Sequence, residues 1–520
     1  MIIGSLISKS SSITVDSLFS FQAKYHGDRV ALQDSERSCS YKELNGRAIQ
    51  LGNALLSLNV NRGDRVAILS ENRTEYVELQ LAAAKIGAVV AAINWRLVES
   101  ELEHCIALAA PKVIFVSERY RERLNSIKFQ VKHRFLFGSE YESLVVSSDT
   151  TEIRGRSDPE DGLIILYTSG TTGLPKAALI SHRAIVARGQ VHRSDHGIER
   201  DDTFVAWAPL FHMVSTDQVL SALMHGNKVV VHDGFDANEL AKIVGEERLG
   251  WLVLMPGMID QFISAIHDLG IKPVGVRVVG SMADLVPAHQ ICEVTSLLKA
   301  PYMNTFGSTE TGFGPASKGL IPIGVKPKSL SKIQSSYCDI RLVDSEGLEV
   351  DDGAPGELTI RGPSLFSGYW HAPADNAEDF RDGWFNMGDV FVRNVDGTLD
   401  FVDRRKYLIK SGGENIYPAE IERCLLRDSR VLDAVVVRKH DERWGEVPVA
   451  FVVSSDPEFS LQDVIECCEG ELARYKIPKE VYFVQGSQLP RSATGKIKRH
   501  ELEERIKRQP NPGSCPESEG

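Results

Sequence analysis

The sequence predicts an α/β protein. A large N-terminal domain of helix-covered, largely parallel sheets carries a small antiparallel β subdomain, and a small α+β domain follows. Three observations lead there. At 520 residues the chain exceeds one ordinary core, so two or more domains are expected. Between about residues 160 and 310, short β-rich runs alternate with helical patterns, as parallel strands joined by crossover helices do. After about residue 335 the texture changes to short β segments, and past Arg405 to a compact mixture of helix and strand.

Taken in order, "LQLAAAKIGAVVAAINW" reads as helix, turn and buried strand, within an early block of similar rhythm over roughly 40–120. "LIILY", "KVVVH", "WLVLM" and "VRVVG" are expected strands, with "DANELAKIVGEE" and "GMIDQFISAIHDL" as helices between them. Asp236 with Glu239 three residues on forms a capping-box start for the first of these helices. "DIRLVD", "GELTIRG" and "TLDFVDR" supply the antiparallel subdomain. The last domain is expected from the helix "PAEIERCLLR", with Pro418 in its first turn, then "LDAVVVRK", "VPVAFVVS", a helix from Ser460 and "EVYFVQ". The polar, Pro/Gly-rich tail at 508–520 is expected to be disordered.

A net charge of −12 argues against broad binding to nucleic acid or anionic membrane, though not against one locally held nucleotide with a divalent metal. The eight cysteines include no CxxC pair, which favours free thiols and a cytoplasmic location. The start, "MIIGSLISKSSS", lacks the features of a secretory signal, and no stretch demands a transmembrane segment.

The stretch "YTSGTTGLPKAALISH" carries the first chemistry. Gly170 and Gly173 permit turns closed to other residues and bring backbone N–H groups near an anion. Thr168, Ser169, Thr171 and Thr172 add hydroxyl donors, and Lys176 adds a point charge. A Walker loop would open a helix directly. Here "KAALI" reads as a second strand before Ser181 starts a helix, so a hairpin-like lid is expected.

"YTSGTTGLPKA" resembles the signature loop of the adenylate-forming superfamily, which includes acyl-CoA synthetases. Collinear with it stand "APLFHM", "NTFGSTETG", "GWFNMGDV", "DRRKYLIKSGGENIYPAEIE" and "LPRSATGKIKR", each resembling a further motif of that family. Phe306 and Met387 depart from the family's usual tyrosine and threonine. The resemblance implies an enzyme that joins a carboxylic acid to AMP, releasing pyrophosphate, and then passes the acyl group to CoA with release of AMP.

By the same resemblance Thr168–Lys176 wraps the β- and γ-phosphates. Thr309 and Glu310 meet the α-phosphate, with Glu310 holding Mg²⁺, Asp389 takes the ribose, and Arg404 adds a ribose or phosphate contact. Ser281, Met282 and Ala283, with Asn304, Thr305, Phe306 and Gly307, line the adenine slot. Phe211, His212 and Met213 line the acyl pocket. Lys496 is the implied adenylation lysine. The domains implied are 1–403 for adenylation, a hinge at 404–406 with Lys406 as its hinge residue, and a mobile 407–507 that presents Lys410 for thioester formation. Gly412 and Gly413 would let a pantetheine arm pass, and Trp444, Tyr475 and Lys479 resemble CoA-contacting positions. The expected ligands are thus ATP, Mg²⁺, CoA and a small-molecule carboxylic acid, in a monomer or homodimer. A separate acyl carrier protein stays open as the acceptor, and a non-catalytic nucleotide-binding sensor as another class. The acid itself, fatty, alicyclic or aromatic, is not legible; Asp195 and Asp217 would disfavour a second carboxylate if they faced it.

Overall fold

The computed structural model describes residues 10–168, 174–412, 414–469, 471–491 and 497–508. Contacts divide the chain into two compact units. One comprises residues up to Ile340 with Ile360–Phe385; the other comprises Arg341–Thr359 and the chain from Asn386 onward.

Two sheets organise the first unit. In one, the strands run in the order His133–Leu136, Val113–Val116, Arg65–Leu69, Val89–Ala92, Gly162–Thr168 and Lys176–Ser181. Every pairing is parallel except the last, which is an antiparallel hairpin. Its core is aliphatic: Leu102, Cys105, Ile106 and Ala109 of the helix Glu99–Ala109 cover Ala67, Leu69, Ala91 and Ile114. The other sheet has eight strands and is parallel from Tyr302–Met303 through Gly275–Val279, Arg248–Leu252, Thr203–Ala206 and Lys228–Val231 to Val30–Gln33.

The helix Thr74–Ile86 is buried around almost its whole circumference, so its polar residues need partners. Glu78 accepts from Arg37, Arg47 and Tyr141, and Lys85, wholly unexposed, donates to Asp16 at 2.8 Å and Ser20 at 2.9 Å. Gly87 ends this helix in the left-handed region at φ +73. Asp236 caps its helix by accepting from the N–H groups of Asn238 and Glu239. This is the forward half of the expected capping box.

The second unit contains the antiparallel pairing of Asp389–Arg393 with Leu399–Arg404, then a five-stranded sheet. In that sheet Val431–Asp441 and Gly445–Ser454 form a long antiparallel ribbon, and Glu480–Phe483 adds in parallel. The two-residue period sends Val436 to a core with Ile421, Leu425 and Val464 from the helices Pro418–Leu425 and Leu461–Cys468. Val435 and Val437 pack oppositely, with Leu502 and Ile506 of the helix Arg499–Arg508. The expected helix from Ser460 is present, with Ser460 as its cap. Residues 509–520, most of the expected tail, lie outside the described residues, and the seven described cysteines are free thiols. No described helix is long and apolar enough to cross a membrane.

Candidate active site

In the first unit the hairpin leaves Thr168 and Lys176 directly opposite one another, so the chain returns as a strand, as "KAALI" predicted. Ser181 then caps the helix His182–His196. Ser169, Gly170, Thr171, Thr172 and Gly173 fall between these strands and lie outside the described residues.

The far edge of Lys176–Ser181 binds a second stretch of chain. Leu179 N–H donates to Gly368 O at 3.0 Å and Trp370 N–H donates to Ala177 O at 2.7 Å. This seats Tyr369 beside Lys176, whose ammonium is 5.0 Å from the Tyr369 ring and paired with the Asp375 carboxylate. Tyr369 Oη donates to Glu310 Oε1 at 2.9 Å. Burial, and then the Glu310 charge, push the phenol far above its ordinary range, so it remains a donor. Lys176, Tyr369 and Glu310 therefore form one polar group built from three separate segments.

Thr309 and Glu310 ride on a tight turn between Phe306–Ser308 and Gly312–Ala316. A Cβ on Gly307 would sit 2.0 Å from Gly312 O, so only glycine fits there. Thr311 Oγ1 accepts from Ser308 N–H at 3.0 Å, locking the turn from inside. Glu310 O accepts from Phe366 N–H at 2.8 Å.

The segment Ser281–Ala283 leaves the strand Gly275–Val279 through Gly280, at φ +86. Tyr302 packs against that glycine, accepting from Ser281 N–H at 3.2 Å and donating to Ser281 O at 2.9 Å. Met282 adopts φ +52, and Ala283 is fully buried. Asn304 is spent on scaffolding: its amide donates to Leu330 O and Ser331 O, and its Oδ1 accepts from Lys332. Thr305 is buried, while Phe306 and Gly307 are half-buried.

His212 is the N-cap of the helix Met213–His225, its Nδ1 accepting from Val214 N–H at 3.3 Å. Phe211 and Trp95 pack nearly perpendicular with ring centroids 5.9 Å apart, and Met213 is buried. The two acids of concern are both engaged. Asp217 is neutralised by Arg188 at 2.9 Å, and Asp195 accepts from Ser317 at 2.5 Å.

In the second unit Asp389 is 1% exposed and stands opposite Arg404 in the ladder. Arg404 Nε donates to its Oδ1 at 2.9 Å. Lys406 follows on a short 3-10 turn, exposed, with its ammonium 5.0 Å from the Tyr407 ring. Lys410 is exposed on the strand Ile409–Ser411. Gly412, at φ +59, donates its N–H to Trp444 O at 2.8 Å, and a Cβ there would strike the Trp444 ring at 2.8 Å. Tyr475 and Lys479 are exposed on the segment leading to Glu480–Phe483. Gly413 and Lys496 lie outside the described residues.

Tyr369, Arg188 and Lys332 lie in no motif that announces their roles, and each acts through a partner far along the chain.

Set against known proteins, this fold and these motifs define a class. The AMP-binding enzyme model matches residues 19–370 and the AMP-binding enzyme C-terminal domain model matches 420–496, so the chain belongs to the AMP-binding enzyme family. An indoleacetate–CoA ligase of Aromatoleum aromaticum is 34% identical over 494 residues, covering 92% of this chain and 96% of that relative. A feruloyl-CoA synthase of Amycolatopsis sp. is 30% identical over 487 residues, covering 93% and 97%. Among solved structures, a fatty acyl CoA synthetase of Mycobacterium tuberculosis aligns with a TM-score of 0.75 at 26% identity, covering 95% of this chain and 98% of that one. The chain is an enzyme of the AMP-forming acid–thiol ligase type, activating a carboxylic acid with ATP through an acyl-adenylate, with CoA-ligase chemistry.

Proposed function

We propose that the acid is an aromatic or arylalkyl monocarboxylate and that the thiol is free CoA. The single observation carrying this reading is the 34% identity, over nearly the whole chain, to an enzyme named for indoleacetate. The engagement of Asp217 by Arg188 supports it from another side, because no bare carboxylate from that position opposes the substrate.

The residues support an ordered division of labour. In the first step a carboxylate oxygen of the acid attacks the α-phosphorus of ATP, and the bond to pyrophosphate breaks. Thr168 and Lys176, with residues 169–173 between them, would hold the departing phosphates, and Thr309 the α-phosphate. Glu310 fits a magnesium ion: Tyr369 fixes one of its oxygens, and carboxylate oxygen is the hard donor that Mg²⁺ takes alongside phosphate. Bound there, the ion would neutralise charge on the phosphates. Asp389, oriented by Arg404, would accept from the two ribose hydroxyls. Ser281–Ala283 and Asn304–Gly307 would flank adenine, while Phe211, His212 and Met213 would line the acyl pocket. Lys496 would sit between the attacking carboxylate and the α-phosphate.

In the second step the CoA sulfur attacks the acyl carbon, AMP leaves, and the thiol proton passes to solvent. Residues 407–507 would turn about Lys406 between the steps, exchanging Lys496 for Lys410. Gly412 and Gly413 would flank the pantetheine arm, with Trp444, Tyr475 and Lys479 at the nucleotide end of CoA.

The test is pyrophosphate release across a panel of indolyl, phenyl, cinnamic, alicyclic and straight-chain acids, with and without free CoA. Turnover raised sharply by CoA, and best with an aromatic acid, is the expected result. Preference for a straight-chain acid overturns the substrate class. Release indifferent to CoA points to a carrier-protein acceptor.

A further inference from the structure

Next to the turn bearing Thr309 and Glu310 lies a guanidinium whose donors are committed on every side. Arg188, 2% exposed, donates from Nε to Ser364 O at 3.0 Å and from Nη1 to Asp217 Oδ2 at 2.9 Å. Its Nη2 donates to Thr309 O at 3.0 Å and to Glu310 O at 3.1 Å. Asp217 is also 2% exposed, so both charges are withdrawn from water, a cost that only close pairing offsets. Gly312 makes room for this arrangement: at φ +64, its missing Cβ would lie 2.8 Å from Arg188 Cγ.

The fork joins four segments. Arg188 stands on the helix His182–His196 and Asp217 on the helix Met213–His225 that His212 caps, while the accepting carbonyls lie on the Thr309–Glu310 turn and at Ser364. A flat guanidinium can satisfy one carboxylate and three carbonyls together; an ammonium, with its donors on one nitrogen, cannot span them. Tyr369 holds the carboxylate end of Glu310, and Arg188 holds its backbone end.

We infer that Arg188 is a positioning residue for adenylation, fixing the Thr309–Glu310 backbone so that the Glu310 carboxylate is aimed at the magnesium ion of the bound nucleotide. This rests on the proposed metal role of Glu310. Arg188 itself touches no reacting atom; it acts through the turn. Partners that orient a metal ligand typically carry about 10–100-fold of metal affinity or activity.

The experiment titrates Mg²⁺ against acid-dependent pyrophosphate release by the full-length enzyme at saturating ATP and acid. Three variants are compared: Arg188→Met with Asp217→Leu, Arg188→Lys, and Glu310→Gln. The double variant removes both buried charges together and is expected to melt near the parent temperature. It should nonetheless need about tenfold more Mg²⁺ for half-maximal rate. Arg188→Lys keeps the charge and should show a shift in the same direction, which keeps the test alive if the double variant does not fold. Full restoration by lysine, or a folded double variant with the parent's Mg²⁺ dependence, overturns the positioning role while Glu310→Gln remains shifted. An unshifted Glu310→Gln instead overturns the metal reading beneath it, and the inference with it.

Discussion

The ammonium of Lys332 lies 2.6 Å from Asp284 Oδ2 and 2.8 Å from Asn304 Oδ1, with no exposed surface of its own. One buried charge therefore ties the turn after Ser281–Ala283 to the start of the Asn304–Gly307 segment, the two flanks of the proposed adenine slot. Lys332→Met should destabilise the protein by about 3 kcal/mol, near the low end for a broken buried pair because Asp284 keeps partial access to water. The KM for ATP should rise with it. Denaturant unfolding and ATP titration check both, and a variant unchanged in each would show that the bridge fixes neither.

Gly307 permits the turn that carries Thr309 and Glu310. Gly307→Ala places a Cβ 2.0 Å from a backbone carbonyl, so the strands must separate. A cost of roughly 1–3 kcal/mol is expected from the overpacking. Adenylation should fall on the order of a hundredfold if the turn moves by about 1 Å. Gly486→Ala, where a Cβ meets open space, is the control and should match the parent in melting and rate.

The proposed exchange of lysines predicts opposite defects. Lys496→Ala should lower acyl-adenylate formation by about 10²–10³ while leaving thioester formation from supplied acyl-adenylate largely intact. Lys410→Ala should show the reverse bias. Single-turnover assays of each half-reaction decide it; equal loss of both in each folded variant would remove the two-face assignment.

His182 predicts a pH dependence of stability. It is fully buried, with Nδ1 accepting from Val15 N–H at 3.3 Å, and burial lowers its pKa from 6.5 to about 4. The folded state thus keeps a neutral imidazole where the unfolded chain binds a proton. Its contribution is fully present above pH 6.5 and is lost as pH falls toward 4, at up to about 1.4 kcal/mol per pH unit. His182→Asn keeps an acceptor for Val15 and removes the titration. The variant should lose less stability than the parent between pH 6.5 and 4 in denaturant melts; identical slopes would exclude the assignment.

Much of the fold was legible because its signals are local. "KAALI" could be read as a strand because β-rich residues follow Pro175 and precede the cap Ser181, and the hairpin with Gly162–Thr168 forms. "WLVLM" was legible as a strand but not in its limits. It begins earlier, at Arg248, because Arg248 and Leu249 find parallel partners at Gly275 and Thr203 that no local pattern announces. Asn304 lay in a motif, yet its amide serves Leu330, Ser331 and Lys332, which the motif does not contain.

By itself the sequence determined the chemistry on offer: hydroxyls and glycines around a lysine, a carboxylate after a threonine, an aspartate after a glycine with an arginine further on, in one collinear order. Those are properties of short stretches, where residue type sets backbone freedom and hydrogen-bonding capacity. Tertiary structure alone decided how the key groups are held. Arg188 reaches the Thr309 carbonyl across 121 positions, and Tyr369 reaches Glu310 across 59. Such partnerships follow from how whole sheets and helices stack, because a donor meets a distant acceptor only where the summed packing of both segments brings them within 3 Å or so.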